Sequence, residues 1–467
     1  MYKKISKKIE IKLKKILNKY PLVQKIVSEI NGSGGKALLV GGAVRDLLLN
    51  LEVKDLDIEI HGLRQKKLEQ ILKSFGSISL VGKSFGVFRL HGLDIDWSLP
   101  RKDSKGRKPT VKIDPFMSIK EAFRRRDLTI NSMAIDLNSF ELVDPFNGAK
   151  DLKNKILRAT DKKLFIEDPL RFYRVMQFIG RFDMYPDKQL NKICQQMDIK
   201  HISRERIEEE FKKLFLKSKK PSIGIEWLHQ IKRLKEILPE LYDTIGIPQN
   251  PKWHPEGDVY EHTKQALDAA ATFKYNSNDE KLILMWSALC HDLGKAATTK
   301  FVDGRFISHE HEVVGEKLAK KLLKRITNNI NLIETVCKLV RWHMQPGQLV
   351  ENAKPSAYKR LALKLYPNTN LQMLSKLFLA DRLGRNPKKG KPLKKKMPEC
   401  ERFEKEINEL DLSTSIEKPI IQGKDLLDKI QPGPLLGKLV KFAYEIQIEE
   451  GIKNKTELKK RVLESLR

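Results

Sequence analysis

Between residues 32 and 144, short apolar runs of strand length alternate with polar breaks: Ala37-Leu38-Leu39-Val40, Leu56-Asp57-Ile58-Glu59-Ile60, Val87-Phe88-Arg89-Leu90 and Leu93-Asp94-Ile95-Asp96-Trp97. In the second and fourth runs every other position is charged, the period of a half-buried strand, so the charges of each run share one face. This stretch is expected to form one α+β domain. From Asp151 onward apolar positions recur at helical spacing to the end, broken at Pro186, Pro221, the stretch from Pro248 to Pro255, Pro346 and Asn386-Pro387. The remainder is expected to be all-α. At the other end, Ile5, Ile9, Leu13, Ile16 and Leu17 fall at helical spacing within 20 residues that hold eight Lys and one Glu, which predicts a basic amphipathic helix. Lysines 388, 389, 391, 394, 395 and 396, lying between Pro387 and Pro398, predict a basic linker and a boundary.

Composition narrows the class of partner. Across 467 residues, 90 Lys+Arg stand against 60 Asp+Glu, a net +30, while 40% of residues are hydrophobic, the fraction of a folded chain. An anionic partner follows, nucleic acid first and an anionic membrane surface second. The longest apolar stretch, Leu282 to Cys290 broken only by Ser287, is under half the roughly 20 residues of a bilayer span, so no membrane insertion is expected. The N-terminal segment has no apolar h-region or small-residue cleavage site, which argues against a secretory signal. The four cysteines, Cys194, Cys290, Cys337 and Cys400, show no CxxC and no framework spacing, so a reducing, cytoplasmic setting is expected.

Two constellations carry chemistry. In the first, Gly41-Gly42-Ala43-Val44-Arg45-Asp46 follows a strand and opens a helix, where backbone N–H groups can face a phosphate with Arg45 close by. Asp55 and Asp57 follow at i and i+2, on one strand face, where they can jointly hold a divalent cation. Asp96 is a candidate third carboxylate, with Asp94 as its competitor on the same face. Further on, Asp168 and Arg171 are spaced one helical turn apart; Asp accepts from an exocyclic amine and Arg donates to ring acceptors, so the pair can read the edges of cytosine and adenine.

These residues resemble the bacterial tRNA nucleotidyltransferase and poly(A) polymerase family, the second class of that superfamily. The resemblance rests on ordered motifs: Gly41-Gly42-x-Val44-Arg45-Asp46, Asp55-x-Asp57, Arg125-Arg126-Asp127-Leu128-Thr129-Ile130-Asn131-Ser132, Asp144-Pro145-x-x-Gly148-x-x-Asp151, Glu167-Asp168-Pro169-Leu170-Arg171, and Glu205-Arg206-Ile207-x-x-Glu210. It implies a polymerase-β-like head with a mixed sheet, followed by an all-α neck. It also implies template-independent addition of CCA to tRNA by two-metal transfer, with Asp55, Asp57 and Asp96 as catalytic residues and Mg²⁺ on Asp55 and Asp57. Gly41, Gly42, Arg45, Arg126, Asp127, Asn131, Asp168, Arg171 and Arg174 would bind ATP or CTP. The family often has an Arg six residues after Arg171; this chain has Gln177 there. The polar loop from Pro100 to Pro109 sits where the family's flexible loop is associated with complete CCA addition.

In the second constellation, His262, His291-Asp292 and Asp381 stand in the order H…HD…D of an HD phosphohydrolase domain, each expected on a helix. Nitrogen and carboxylate ligands suit Ni²⁺, Mn²⁺, Co²⁺, Fe²⁺ or Zn²⁺, with Mg²⁺ also admissible. His309, His311 and His343 are candidates for a phosphate contact or a second metal, Lys295 for a phosphate contact, and His254 for a loop position. The resemblance extends to tRNA nucleotidyltransferases with an appended HD domain. It implies a head (32–144), a neck (145–220) and an HD domain (221–386), preceded by the basic N-terminal helix (1–31) and followed by the basic linker and a tail that resembles a helical tRNA-binding segment (387–467). Gly423-x-Asp425-Leu426-Leu427 and Gln431-Pro432-Gly433-Pro434 lie in that tail, which poly(A) polymerases usually lack. The expected protein is a monomer or homodimer. The alternatives are a poly(A) polymerase, a partial CC- or A-adding enzyme, or an HD phosphohydrolase with a degenerate head.

Overall fold

A computed structural model describes residues 2–81, 86–103, 111–387 and 397–465. The polar loop expected at 100–109 and the lysine run at 388–396 therefore fall largely or wholly outside the described residues. The chain forms two compact units, Met1–Ile202 and Ser203–Arg467.

Among the described residues the first unit carries twelve strands, ten of them in its head: β1 Tyr2–Lys4, β2 Lys36–Val40, β3 Leu56–His61, β4 Ile78–Val81, β5 Val87–Leu90, β6 Ile95–Ser98, β7 Arg101–Asp103, β8 Val111–Ile113, β9 Ala134–Asp136 and β10 Glu141–Val143. Eight of them form one sheet in the order β1-β10-β9-β2-β3-β6-β5-β4, with β7 and β8 paired separately. The β3–β6 pair is parallel and the other pairs of the large sheet are antiparallel, so the sheet is mixed. In β6 the expected alternation is realised, Ile95 and Trp97 being buried and Asp96 and Ser98 half-buried, whereas in β3 only Asp57 is exposed, because Glu59 and His61 are buried along with Ile58 and Ile60. Residues 1–31 do more than the single basic helix anticipated. Tyr2–Lys4 pairs with β10 at the sheet edge, and helices Lys7–Leu17 and Pro21–Gly32 are separated at Pro21, which takes the first helical position. Leu13 and Leu17 are buried, so the apolar stripe of the first helix is a core face, while Lys12 Nζ donates to the Leu51 carbonyl at 2.8 Å.

In the second unit, helix Asn278–Cys290 is apolar on almost every side and is buried accordingly, with Leu284, Met285, Ala288, Leu289 and Cys290 fully enclosed. Ser277 caps it, its hydroxyl accepting from Glu280 N at 3.1 Å. Phe211 and Phe215 of helix Arg204–Lys217 pack on Trp286, with centroids 5.3 and 4.8 Å apart. The tail has its own small core of Ile421, Leu426, Leu439, Ala443, Ile452, Leu458 and Val462. All four cysteines are buried. Among the described residues no helix is long and apolar enough to cross a membrane.

Candidate active sites

In the head, the turn after β2 is set by Gly41, whose φ of +70° is a conformation that glycine adopts without steric cost. A Cβ there would also lie 3.0 Å from Arg126 Nη1, so the glycine lets the Arg126 side chain lie across the turn. Helix Gly42–Leu48 starts at once, as the sequence predicted. Asp57 is on β3, and the parallel register sets Asp96 of β6 directly beside it. Asp55 stands just before β3 and is exposed. Asp94 lies ahead of β6 with its side chain 88% exposed, so the register separates it from Asp96. Although Asp57 is exposed at the surface, the protein around its carboxyl displaces water and raises it above its ordinary pKa; Arg126 opposes this, and the carboxylates of Asp96 and Asp55 add to it. Asp96 is drawn toward Arg89 of β5, whose Nε and Nη2 donate to its Oδ1 at 2.9 and 2.7 Å.

The remaining motif residues lock together. Glu59, two residues beyond Asp57, is buried and faces His61 Nε2 at 3.0 Å, Arg126 Nη2 at 3.3 Å and Arg125 Nη2 at 3.6 Å. Burial disfavours its charge, but the His61 hydrogen bond and the two guanidiniums prevail and hold the carboxyl down to about 2. Arg45 is buried; its Nη1 donates to Asn131 Oδ1 at 2.6 Å, and its guanidinium lies 5.3 and 4.7 Å from the Phe178 and Phe182 ring centres. Asn131 Nδ2 donates to Asp127 Oδ1 at 3.0 Å, and Arg174 Nε donates to Asp127 Oδ2 at 2.7 Å. The structure thus ties the Gly-Gly turn, the Arg-Arg-Asp motif and helix Leu170–Phe182 into one charged network. Asp168 and Arg171 differ from the one-helix expectation: the helix begins at Leu170 after Pro169, so Asp168 precedes it and accepts from Leu170 N at 3.2 Å. Arg171 is aimed by two carbonyls, donating to Leu164 O at 2.7 Å and Arg125 O at 2.6 Å. Gln177, in place of an Arg, is buried with its Oε1 unpartnered.

In the second unit, His262 sits on helix Val259–Ala271 and Asp381 on helix Leu371–Leu383, whereas His291 and Asp292 follow helix Asn278–Cys290, ending it instead of lying within it. His311 opens helix His311–Ile326, and His343 follows helix Ile330–Trp342. Gly294 makes this convergence possible: a Cβ there would meet the His311 carbonyl oxygen at 2.0 Å. His262, His291 and Asp381 converge, and so do Asp292, His311 and His343, with the ligand atoms of each set within 4.8 Å of one another. His309 is exposed and belongs to neither set. Among the described residues, Asp55, Asp57 and Asp96 do not form such a set.

The ring nitrogens identify what these sets can hold. Nδ1 of His291, His311 and His343 faces the carbonyl oxygens of Ala288, Ser308 and Val340 at 2.9, 2.8 and 2.7 Å, and Nδ1 of His262 faces Glu256 Oε1 at 2.7 Å. All four partners accept, so each Nδ1 is placed to donate and each Nε2 is turned inward, that of His262 also facing Asp381 Oδ1 at 3.0 Å. Those inward nitrogens meet in pairs, His262 with His291 and His311 with His343, each at 3.2 Å. Asp292 spans the pairs, Oδ2 lying 3.3 Å from His291 Nε2 and Oδ1 3.4 Å from His311 Nε2. Facing ring nitrogens beside buried carboxylates make a nitrogen and oxygen donor set, so the residues fit divalent metal. Burial opposes the charge on Asp292 and Asp381, yet His291 and Lys295 hold the first well below its ordinary range, and Arg385 and His262 hold the second.

Sequence reasoning missed Glu59, Arg89, Glu256 and Arg385. Only Glu59 left a signal, sharing the charged face of β3 with Asp57. His254, expected as a loop residue, is one, but its Nδ1 lies 2.9 Å from Glu256 Oε1, and burial lowers its pKa to about 4 against that contact.

Comparison with known proteins agrees with this geometry. Residues 37–158 match the poly A polymerase head domain, 188–244 the probable RNA and SrmB-binding site of polymerase A, and 259–386 the HD domain. A multifunctional CCA protein of Mannheimia succiniciproducens is 34% identical over 351 residues, covering 73% of this chain and 78% of that protein. Among solved structures, the Thermotoga maritima CCA-adding enzyme complexed with tRNA aligns with a TM-score of 0.63 at 21% identity, covering 100% of both chains. A CCA-adding enzyme complexed with ATP aligns at 0.66 and 21%, again over 100% of both, and these two likenesses bear on fold. With its head, its HD region and a third of its residues shared with such relatives over most of its length, the chain belongs to the family of multifunctional CCA proteins, the CCA-adding tRNA nucleotidyltransferases.

Proposed function

We propose that the head adds CMP, CMP and AMP, from CTP and ATP, to the 3′ end of tRNA. The observation that carries this reading is the register of Asp57 beside Asp96, next to a Gly41-Gly42 turn crossed by Arg126. The tRNA 3′-oxygen attacks the α-phosphorus, that P–O bond forms as the bond to pyrophosphate breaks, and the hydroxyl proton leaves to solvent. Asp55, Asp57 and Asp96 would hold Mg²⁺, which when bound lowers the hydroxyl pKa and neutralises charge on the phosphates. Arg126 lies along the turn to meet the triphosphate, and Glu59 positions it. Arg45, Asp127, Asn131 and Arg174 fix the helix bearing Arg171 against that turn, while Asp168 and Arg171 present the polar edge that selects cytosine or adenine. Purified protein incubated with tRNA lacking its 3′ CCA, Mg²⁺ and labelled CTP or ATP tests this. CTP must be incorporated twice and ATP once; long A tails on generic RNA without CTP incorporation would favour a poly(A) polymerase instead.

We further propose that the second unit is a phosphohydrolase holding two transition-metal ions, one on His262, His291 and Asp381, the other on His311 and His343, with Asp292 shared. Bound metal would supply a Lewis acid and an activated water for cleaving a phosphoester. Lys295 and Arg385, paired with Asp292 and Asp381 at 2.7 and 3.0 Å, place positive charge beside the cluster, where it would attract an anionic substrate. Metal analysis of protein purified with Mn²⁺ or Ni²⁺ should give two ions per chain in this unit; one ion would restrict the site to the first set.

A further inference from the structure

The segment from Gln249 to Glu256 is tied at both ends to the histidine–aspartate cluster. At one end Lys295 Nζ donates to Gln249 Oε1 at 2.8 Å while lying 2.7 Å from Asp292; at the other, Glu256 accepts from His262 Nδ1 at 2.7 Å. Between these anchors the backbone makes a built turn. Asn250 Oδ1 accepts from Lys252 N at 3.0 Å, and the Asn250 carbonyl accepts from Trp253 N at 3.0 Å and His254 N at 2.9 Å. Trp253 stands three residues from Glu256, so chain length alone keeps their Cα atoms within about 11 Å. Despite this closeness to a buried cluster, Trp253 is 58% exposed, and Lys252 Nζ lies 5.2 Å from its ring centre. A large aromatic side chain held outward by a hydrogen-bonded turn, beside a cation and within a nucleoside's reach of phosphate-binding chemistry, has the makings of a stacking platform.

We propose that Trp253, with Lys252 beside it, is a nucleobase-stacking subsite of the HD centre, so that this centre prefers nucleoside phosphoesters, including RNA ends, over phosphoesters without a base. This rests on the phosphohydrolase reading above. The base stacks on the indole, Lys252 contributes to phosphate attraction, and the ester reaches the cluster past His254. Lys252 and His254 flank Trp253 directly in the chain and put a cation and an imidazole beside the indole, which favours an anionic ligand that carries a base over an apolar peptide.

The test compares Mn²⁺-loaded full-length wild type, Trp253→Ala and Trp253→Phe on adenosine 2′,3′-cyclic phosphate and on glycerol 1,2-cyclic phosphate, which has no ring to stack. The expected result is that Trp253→Ala lowers the ratio of kcat/KM for the two substrates about tenfold, through KM, and that Trp253→Phe retains most of it. Equal losses on both substrates, or an unchanged ratio, would overturn the proposal. Should wild type hydrolyse neither, the phosphohydrolase reading fails, and equilibrium dialysis of adenosine 3′-phosphate with Mn²⁺ decides the subsite separately. The head contributes equally to both proteins there, so weaker binding by Trp253→Ala supports the platform and identical binding rejects it.

Discussion

In the head, the acidic residues line up on adjacent parallel strands, Asp57 beside Asp96, and the cations around them come from side chains that also hold the fold: Arg89, Arg125 and Arg126. In the helical unit the candidate ligands stand on or at the ends of five helices and turn imidazole Nε2 atoms inward, each ring oriented by an acceptor behind it. The first arrangement leaves carboxylates near a surface, suited to a cation that arrives with a nucleotide's phosphates. The second encloses nitrogen donors, suited to metal that stays. On the proposed reading, the chain would hold a hard cation for transfer in the head and a softer one for hydrolysis in the helical unit, and each is expected to be lost without the other.

The largest effects should come from the shared carboxylates. Asp57→Ala should lower CMP and AMP incorporation at least 10³-fold by gel assay while leaving bound transition metal unchanged. Asp292→Ala faces both histidine pairs and should remove both ions from the helical unit and abolish its hydrolysis; His343→Ala should remove only one. An intact metal content in Asp292→Ala would contradict the shared-ligand arrangement.

Next in size are the residues behind the ligands. Glu256→Gln weakens the hydrogen bond that orients His262, and metal affinity should fall about 10- to 100-fold by competition titration, with CCA addition untouched. In the head, Glu59→Gln leaves Arg125 and Arg126 without their buried carboxylate and should cost about 3 kcal/mol of unfolding free energy, together with a raised KM for both nucleotides. The folded-state pKa of Glu59 lies near 2, below its ordinary 4.5, so its stabilisation is present above pH 4.5 and is lost as pH falls from 4.5 toward 2. The difference in melting temperature between wild type and Glu59→Gln should shrink over that window; a difference independent of pH would show that Glu59 acts through packing alone.

The smallest expected effect concerns Gln177, whose buried Oε1 has no partner. Gln177→Met removes that unsatisfied group and should leave stability equal or slightly improved, within about 1 kcal/mol by denaturant titration.

How far each site could be read from sequence follows from how far apart its parts lie along the chain. Strand alternation located Asp57 and Asp96, and the Gly41-Gly42 turn is local, so the head's outline was legible within about 60 residues. The first helix was legible as amphipathic, but the pairing of Tyr2–Lys4 with β10 joins segments 137 or more residues apart, and no local pattern encodes that. The place of Asp168 was misjudged because i,i+3 spacing reads as a helix, whereas Pro169 caps the helix and its first residue is Leu170, two beyond Asp168. The H…HD…D order was legible as a motif. The second metal set was only suggested, since His311 and His343 come from helices whose packing depends on Gly294 passing against a backbone carbonyl. Glu256 could not be found at all, because its role is set by which ring nitrogen it faces.

The central claim is that one chain carries two separable metal chemistries. It is tested most directly by measuring CTP and ATP incorporation into CCA-less tRNA alongside hydrolysis of adenosine 2′,3′-cyclic phosphate, in Asp57→Ala and Asp292→Ala, with Mg²⁺ and Mn²⁺ supplied. The account predicts a double dissociation: Asp57→Ala loses incorporation and keeps hydrolysis, and Asp292→Ala does the reverse. Loss of both activities in either folded variant, or hydrolysis that survives Asp292→Ala, would contradict it.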